Sequence, residues 1–403
     1  MRRCLWLLLA ILVSACLPAL PEVSSGDEQE GAGAPGYTAG RCGSGSWRPG
    51  WLEIHHINAG EAVSTLIVSP SGRSLLLDAG ESLWDQSSGA LTVGAYVRSV
   101  LGCAALDYVV LSHFHLDHVG YPGYGGVWHL VHVQGFAVGK LLHRDLFRYV
   151  GVNSSTLAAW QAYLQSQEAQ RLHPEVAIPG TAQIDLGPST AFAIIAVDGA
   201  GVLAEGDFSA DATPPDENDY SLVALLRVGR LDYVTAGDLS GETVVSSTGG
   251  YTYHDIETPV AARVKDVDVY RVSHHGSSHA SNVTWLAELA PRVSILQVGS
   301  DNQNGHPAQA TVDRLLASGT LYLTEPGDSG TALGSGRVVG HVVLRTATGL
   351  EFTVNGDGFA AHDPLRVDAD GDGYFDEVDP DDDAGLVGPA LQGGCDVAYQ
   401  ACR

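Results

Sequence analysis

From about residue 51 the chain alternates short apolar runs with amphipathic stretches. "WLEIHHI", "STLIVSP" and "SLLLDAG" follow at strand length, and Ser71-Gly72 between the last two reads as a hairpin turn. "YVRSVLGCAALDYVVLSHFH" reads as a helix, a turn and a buried strand, "DYVVLS", with histidines at its end. Residues 153–172 place Leu157, Trp160 and Leu164 at helical spacing behind serine caps. The runs "AFAIIAV", "SLVALLRV", "LDYVTAG", "DVDVYRVS" and "VSILQVG" are further strands. Helices are expected near 283–290 and 308–317, and "TALGSGRVVGHVVLRTATGLEFTV" closes the pattern as strand-rich sequence. Two groups of strands with helices between and outside them predict a layered α/β architecture. No internal repeat interrupts it.

The ends differ from this middle. "MRRCLWLLLAILVSAC" has a basic start, an apolar run from Leu5 to Val13 and small residues before Cys16. That run is too short to span a bilayer and has the flanks of a signal peptide. "VSAC" resembles a bacterial lipobox, which implies a signal peptide over 1–15, lipidation of Cys16 and export to the cell envelope; an ordinary secretory signal is the alternative. Residues 16–50, rich in Gly, Ser and Pro, read as a flexible tether, so the folded domain is expected over 51–360. Export permits disulfides. Cys395 and Cys402 are the expected pair in the tail; Cys42 and Cys103 are left open.

With 45% hydrophobic and 17% charged residues the chain is globular, and its net charge is −26. Such acidity disfavours stable nucleic-acid binding through phosphate contacts, which needs clustered Lys and Arg. It leaves room for a metal-mediated grip on a phosphate.

Candidate chemistry centres on "SHFHLDHVG" at 112–120. A strand ending at Ser112 hands over to a loop, so neighbouring side chains can converge without helical constraint. His113 and His115 offer imidazole nitrogens to one cation, and Asp117 and His118 can turn toward a second. Imidazole with carboxylate suits zinc, iron or manganese.

This run resembles the HxHxDH signature of the metallo-β-lactamase superfamily. "LLLDAG" with Asp78 resembles the strand-turn that precedes the motif in that family, and "VTAGDLSG" with Asp238 and "VYRVSHHGSSH" with His274 and His275 resemble its later segments, in the same order. "HHGS", "NDYSLVALL" at 218–226 and "NGHP" at 304–307 are similar to the hydrolase domain of ComEC-type DNA-uptake proteins and their stand-alone relatives. The likeness covers roughly 51–345. It implies a four-layer αββα sandwich and two divalent transition-metal ions, Zn or Mn, with Asp238 bridging them. A shared water then becomes the nucleophile and His306 a proton donor.

The sequence departs from the family in two places. The opening reads "INAGEAVST", with Asn58, Glu61 and Ala62, and the usual third histidine of the first metal is missing. His173 is expected on the surface, and Asn218 stands in the region of the missing ligand. The tighter site is therefore expected at Asp117, His118, Asp238 and one of His274 or His275, with His274 favoured because it comes directly off the strand.

A second metal signal is "DADGDGYFDEVD". Asp368, Asp370, Asp372, the Tyr374 carbonyl, Asp376 and Asp379 fall at calcium-loop positions around the Gly373 turn. Aspartate at the last position makes the loop resemble thrombospondin type 3 or dockerin-like repeats; a solvated acidic tail is the alternative. Together these readings point to an exported, lipid-anchored metal-dependent hydrolase of a phosphoester, a phosphodiester first, nuclease-like or phosphorylcholine-esterase-like. An acyl hydrolase of lactonase or β-lactamase type, and a non-catalytic metal-binding lipoprotein, are the alternatives.

Overall fold

The computed structural model describes residues 45–362 except 82–87, 248 and 301. The expected signal peptide, Cys16, most of the tether, the calcium loop and the Cys395–Cys402 pair lie outside the described residues.

Two large sheets carry the fold. The nine-stranded sheet runs in space Asp357–Ala360, Glu351–Val354, Val342–Thr346, Leu52–His56, Thr65–Val68, Ser74–Leu77, Ala105–Leu111, Ala137–His143, Pro174–Val176. The seven-stranded sheet runs Arg337–Val338, Thr320–Leu323, Val293–Leu296, Val269–Arg271, Leu231–Thr235, Val223–Val228, Ala191–Ala196. Side chains alternate faces along a strand. Leu75 and Leu77 therefore enter one core while Leu76 enters another; Ala224 and Leu226 are likewise separated from Val223 and Leu225. With both faces covered, strands are apolar throughout, which is why the sequence shows continuous runs instead of alternation.

Three cores define four layers. Outside the first sheet, Val93 and Val97 of the helix Ser88–Leu101, Leu130 of Gly126–His132 and Trp160 of Ser155–Leu164 pack on Leu76, Leu106 and Val109. Between the sheets, Ile54, Leu75 and Val110 meet Leu226, Tyr233 and Ile295. Outside the second sheet, Val260, Trp285 and Leu315 of three further helices cover Val234, Tyr270 and Leu296.

The stretch expected as one helix over 153–172 is two. Ser155–Leu164 and Gln167–Gln170 are separated by Ser166, whose hydroxyl caps the second by accepting from Ala169 N. The strand-rich closing segment divides: Arg337–Val338 edges the second sheet, and Val342–Thr346 returns to the first beside Leu52–His56.

Parallel pairing positions the site. Ser74–Leu77 and Ala105–Leu111 run parallel around the helix Ser88–Leu101, and Leu231–Thr235, Val269–Arg271 and Val293–Leu296 run parallel in the other sheet. The loops leaving the carboxyl ends of these strands carry Asp78, the 113–118 motif, Asp238, His274–His275 and Gln297. Carboxyl ends of parallel strands are the usual ligand edge of an α/β sheet.

Candidate metal centre

The strand Ala105–Leu111 ends at Ser112, whose backbone N donates to Asp78 Oδ1 at 2.8 Å and whose hydroxyl donates to Oδ2 at 2.6 Å. Behind the loop, Phe114 N donates to Glu217 Oε1 at 2.8 Å, and the buried Arg144 holds that carboxylate through two guanidinium nitrogens. The one-turn helix Leu116–Val119 follows, ending at Gly120 with φ 70°. Asp117 O accepts from Val63 N at 2.7 Å, and His118 O accepts from Ala79 N at 2.8 Å. Two neighbouring loops therefore hold both faces of the turn that presents Asp117 and His118.

The side chains of the motif converge on one edge of the fold. His113 Nε2 and His115 Nδ1 lie 3.2 Å apart. His118 presents Nδ1 to Asp78 Oδ2 at 2.8 Å and Nε2 to Asp238 Oδ1 at 2.9 Å. Asp238 follows Gly237, whose φ of 51° favours glycine and where a Cβ would fall 2.9 Å from the Ser221 side chain. His275 Nε2 stands 3.2 Å from Asp117 Oδ2 and 3.5 Å from Asp238 Oδ2, while its Nδ1 faces Gln297 O at 3.1 Å. Two groups of ligand atoms result, each within 4.8 Å: His113, His118 and Asp238; and Asp117, His118 and His275.

His275, not the favoured His274, meets Asp117. After the strand Val269–Arg271 the backbone turns through two successive left-handed residues, His274 (φ 50°, ψ 48°) and His275 (φ 49°, ψ 23°), and the second is carried to Asp117. His274 Nε2 instead lies 3.3 Å from Asn218 Nδ2. His306 stacks on His275 with rings 5.8 Å apart and 8° from parallel. Its Nδ1 is 3.5 Å from Glu61 Oε1, an atom also 3.7 Å from His275 Nδ1. His173 is exposed, on the turn before Pro174–Val176. The centre opens into a cavity of about 540 Å³ walled by Asn218, Tyr251, Tyr253, His274, Ser277 and His279; no Lys or Arg is among its described lining residues.

Sequence reasoning missed Gln297 and the Arg144–Glu217 brace, and it noted Glu61 only as a departure. Each acts through a contact across at least 22 positions in the chain, so no local pattern marks it. Tyr251 and Tyr253, two apart on one hairpin, likewise carried no signal.

No protein-family profile matches the chain. It is similar to ComE operon protein 3 of Bacillus subtilis (strain 168), 26% identical over 118 residues, 29% of this chain and 14% of that protein. It is also similar to competence protein ComA of Neisseria gonorrhoeae, 24% identical over 292 residues, 70% of this chain and 32% of that protein. The chain thus spans at most 32% of the length of these curated relatives. Among solved structures, Tm1679, a metal-dependent hydrolase of the β-lactamase superfamily, is 15% identical with a TM-score of 0.39, over 66% of this chain and 93% of that one. CmlA, a diiron β-hydroxylase from Streptomyces venezuelae, is 14% identical with a TM-score of 0.39, over 73% and 54%. In this chain two sheets pack face to face between helices, and the motif loop, Asp238 and His275 meet at one edge.

The chain has the four-layer αββα sandwich expected from the metallo-β-lactamase resemblance.

The donor set of that fold suits divalent ions here. His118 Nε2, Asp238 Oδ1 and His275 Nε2 are buried and close together, yet none has an aligned hydrogen bond. Buried polar atoms are rarely left so, and these face common points as ligands do. The charges agree. Burial opposes a charge on His118, but Asp238 and Asp78 outweigh it and push the imidazole up to about 10. Burial likewise opposes His275, and Glu61, Asp238 and Asp117 push it up to about 9. Burial would raise Asp117 and Asp238, yet the surrounding imidazoles hold both well below the usual carboxylate range. The imidazoles and carboxylates thus balance one another's charge, a donor set of the kind from which divalent cations displace protons. Asp78 and Gln297 O hold the ring orientations of His118 and His275.

Proposed function

We propose that this chain is a metal-dependent hydrolase that cleaves a phosphoester, a phosphodiester first. The ground for this is that two groups of ligand atoms share His118, and that Asp117, Asp238 and His275 of these groups line one cavity. Two divalent ions held there lower the pKa of a water and stabilise negative charge on the attacked centre.

His113 and His115 would hold one ion and Asp117, His118 and His275 the other, with Asp238 beside both groups. Asn218 lines the cavity as a neutral amide that orients the bound ester. His306 turns Nδ1 toward Glu61 and lines the same cavity, where it donates a proton or hydrogen bond to the departing oxygen. A cavity wall without described Lys or Arg leaves neutralisation of the phosphate to the metals, which suits one phosphodiester group better than a long polyanion. The apolar leader and Cys16 support action outside the cytoplasm from a lipid anchor, over a hydrolase domain at 51–360. The aspartates at 368–379 support a calcium clip in the acidic tail.

The test is hydrolysis of bis(p-nitrophenyl) phosphate, p-nitrophenyl phosphorylcholine, plasmid DNA and a chromogenic lactam by purified protein, with Mn²⁺ or Zn²⁺ added. Phosphodiester cleavage is expected, falling at least about 100-fold in Asp117→Ala and Asp238→Ala. Undiminished cleavage in those variants overturns the two-metal mechanism, and cleavage of the lactam alone moves the assignment to acyl transfer.

A further inference from the structure

We propose that the two adjacent histidines divide between the two metals: His275 completes the second site, and His274, beside Asn218, supplies the missing nitrogen of the first. This rests on the two-metal reading above and assigns the ligand for which the chain has no separate histidine.

The second site is the better furnished. Asp117, His118 and His275 bring three ligand atoms within 4.8 Å of one another, Asp238 Oδ2 lies 3.5 Å from His275 Nε2, and the other nitrogen of His275 is engaged by Gln297 O. The first site is one short. His113 Nε2 and His115 Nδ1, 3.2 Å apart, are close to the spacing of about 3.4 Å for two nitrogens on one tetrahedral ion, and Asp238 offers a third atom.

His274 is the unspent group beside that gap. It is 9% exposed and lines the same cavity as His115, Asn218 and Asp238. Its Nδ1 is buried without a hydrogen-bond partner, and so is Asn218 Oδ1. The doublet cannot serve one ion as His113 and His115 do. The rings of His113 and His115 are 4.9 Å apart, whereas those of His274 and His275 are 6.5 Å apart. Consecutive left-handed residues turn both side chains to one edge of the fold while keeping them apart.

Manganese content of the purified protein decides this, measured by mass spectrometry across a range of free Mn²⁺, with electron paramagnetic resonance of the same samples. The wild type is expected to bind two ions of unequal affinity with an exchange-coupled spectrum. His274→Ala and the bulkier His274→Gln are expected to keep one ion, at the affinity of the tight wild-type site, with a single-ion spectrum. His275→Ala is expected to lose the tight ion instead. Two ions at wild-type affinities in a folded His274 variant overturn the proposal while leaving the hydrolase reading intact. A wild-type protein that takes up no transition metal overturns both.

Discussion

Asp78 has φ 59°, a left-handed conformation that costs a non-glycine residue about 1–2 kcal/mol. Its two oxygens serve three donors: Ser112 N, the Ser112 hydroxyl and His118 Nδ1. The carboxylate therefore sets both the exit of the motif strand and the tautomer of a ligand. Asparagine tolerates the backbone but cannot accept from all three. Asp78→Asn is expected to leave the protein folded and to weaken the tight metal site about 10- to 100-fold. Competition with a calibrated chelator reads this directly, and unchanged affinity would show that Asp78 does not orient His118. At this scale the motif residues were legible because four ligand types crowd into 113–118. Asp78 was legible as part of a familiar segment, but its three bonds were not.

Between elements, the loop after Ser74–Leu77 crosses the turn Leu116–Val119 with no room for a side chain. A Cβ at Gly80 would fall 1.7 Å from Asp117 O and 2.0 Å from its carbonyl carbon. These are backbone atoms, so one of the two loops must move. Gly80→Ala is expected to cost about 1–3 kcal/mol of stability and to release the metal bound by Asp117 and His118. Thermal unfolding and metal content together check this, with Gly358→Ala as control, since a Cβ there meets nothing within 4 Å. A Gly80→Ala protein with full metal content would mean the loops are not packed as described. The sequence marked strands well at this scale because buried strands are continuous apolar runs. It could not say which face each residue takes. Leu75 and Leu76 are indistinguishable as letters and enter different cores.

Across the whole molecule, the centre gathers carboxylates from both sheets: buried Asp78 and half-buried Asp117 from the first, buried Asp238 from the second. Cations binding there stabilise the folded chain over the unfolded one by mass action, about 4 kcal/mol at a thousandfold excess over Kd. Stripping the metal with a chelator is expected to lower Tm by roughly 5–15 °C, with recovery on adding Mn²⁺ or Zn²⁺. Calorimetry with and without chelator checks it; an unmoved Tm would show that the fold does not depend on bound cations.

The sequence by itself determined most of the strands and helices and the contiguous half of the candidate ligands. Those features are local: hydrophobic period, turn residues and six neighbouring positions at a strand end. Only the tertiary structure decided how the strands divide into two sheets and that Val342–Thr346 returns beside Leu52–His56. It also decided that His275 reaches Asp117 while His274 turns to Asn218. These outcomes depend on packing and strand register between residues far apart in the chain, and on two left-handed residues that no composition or period announces.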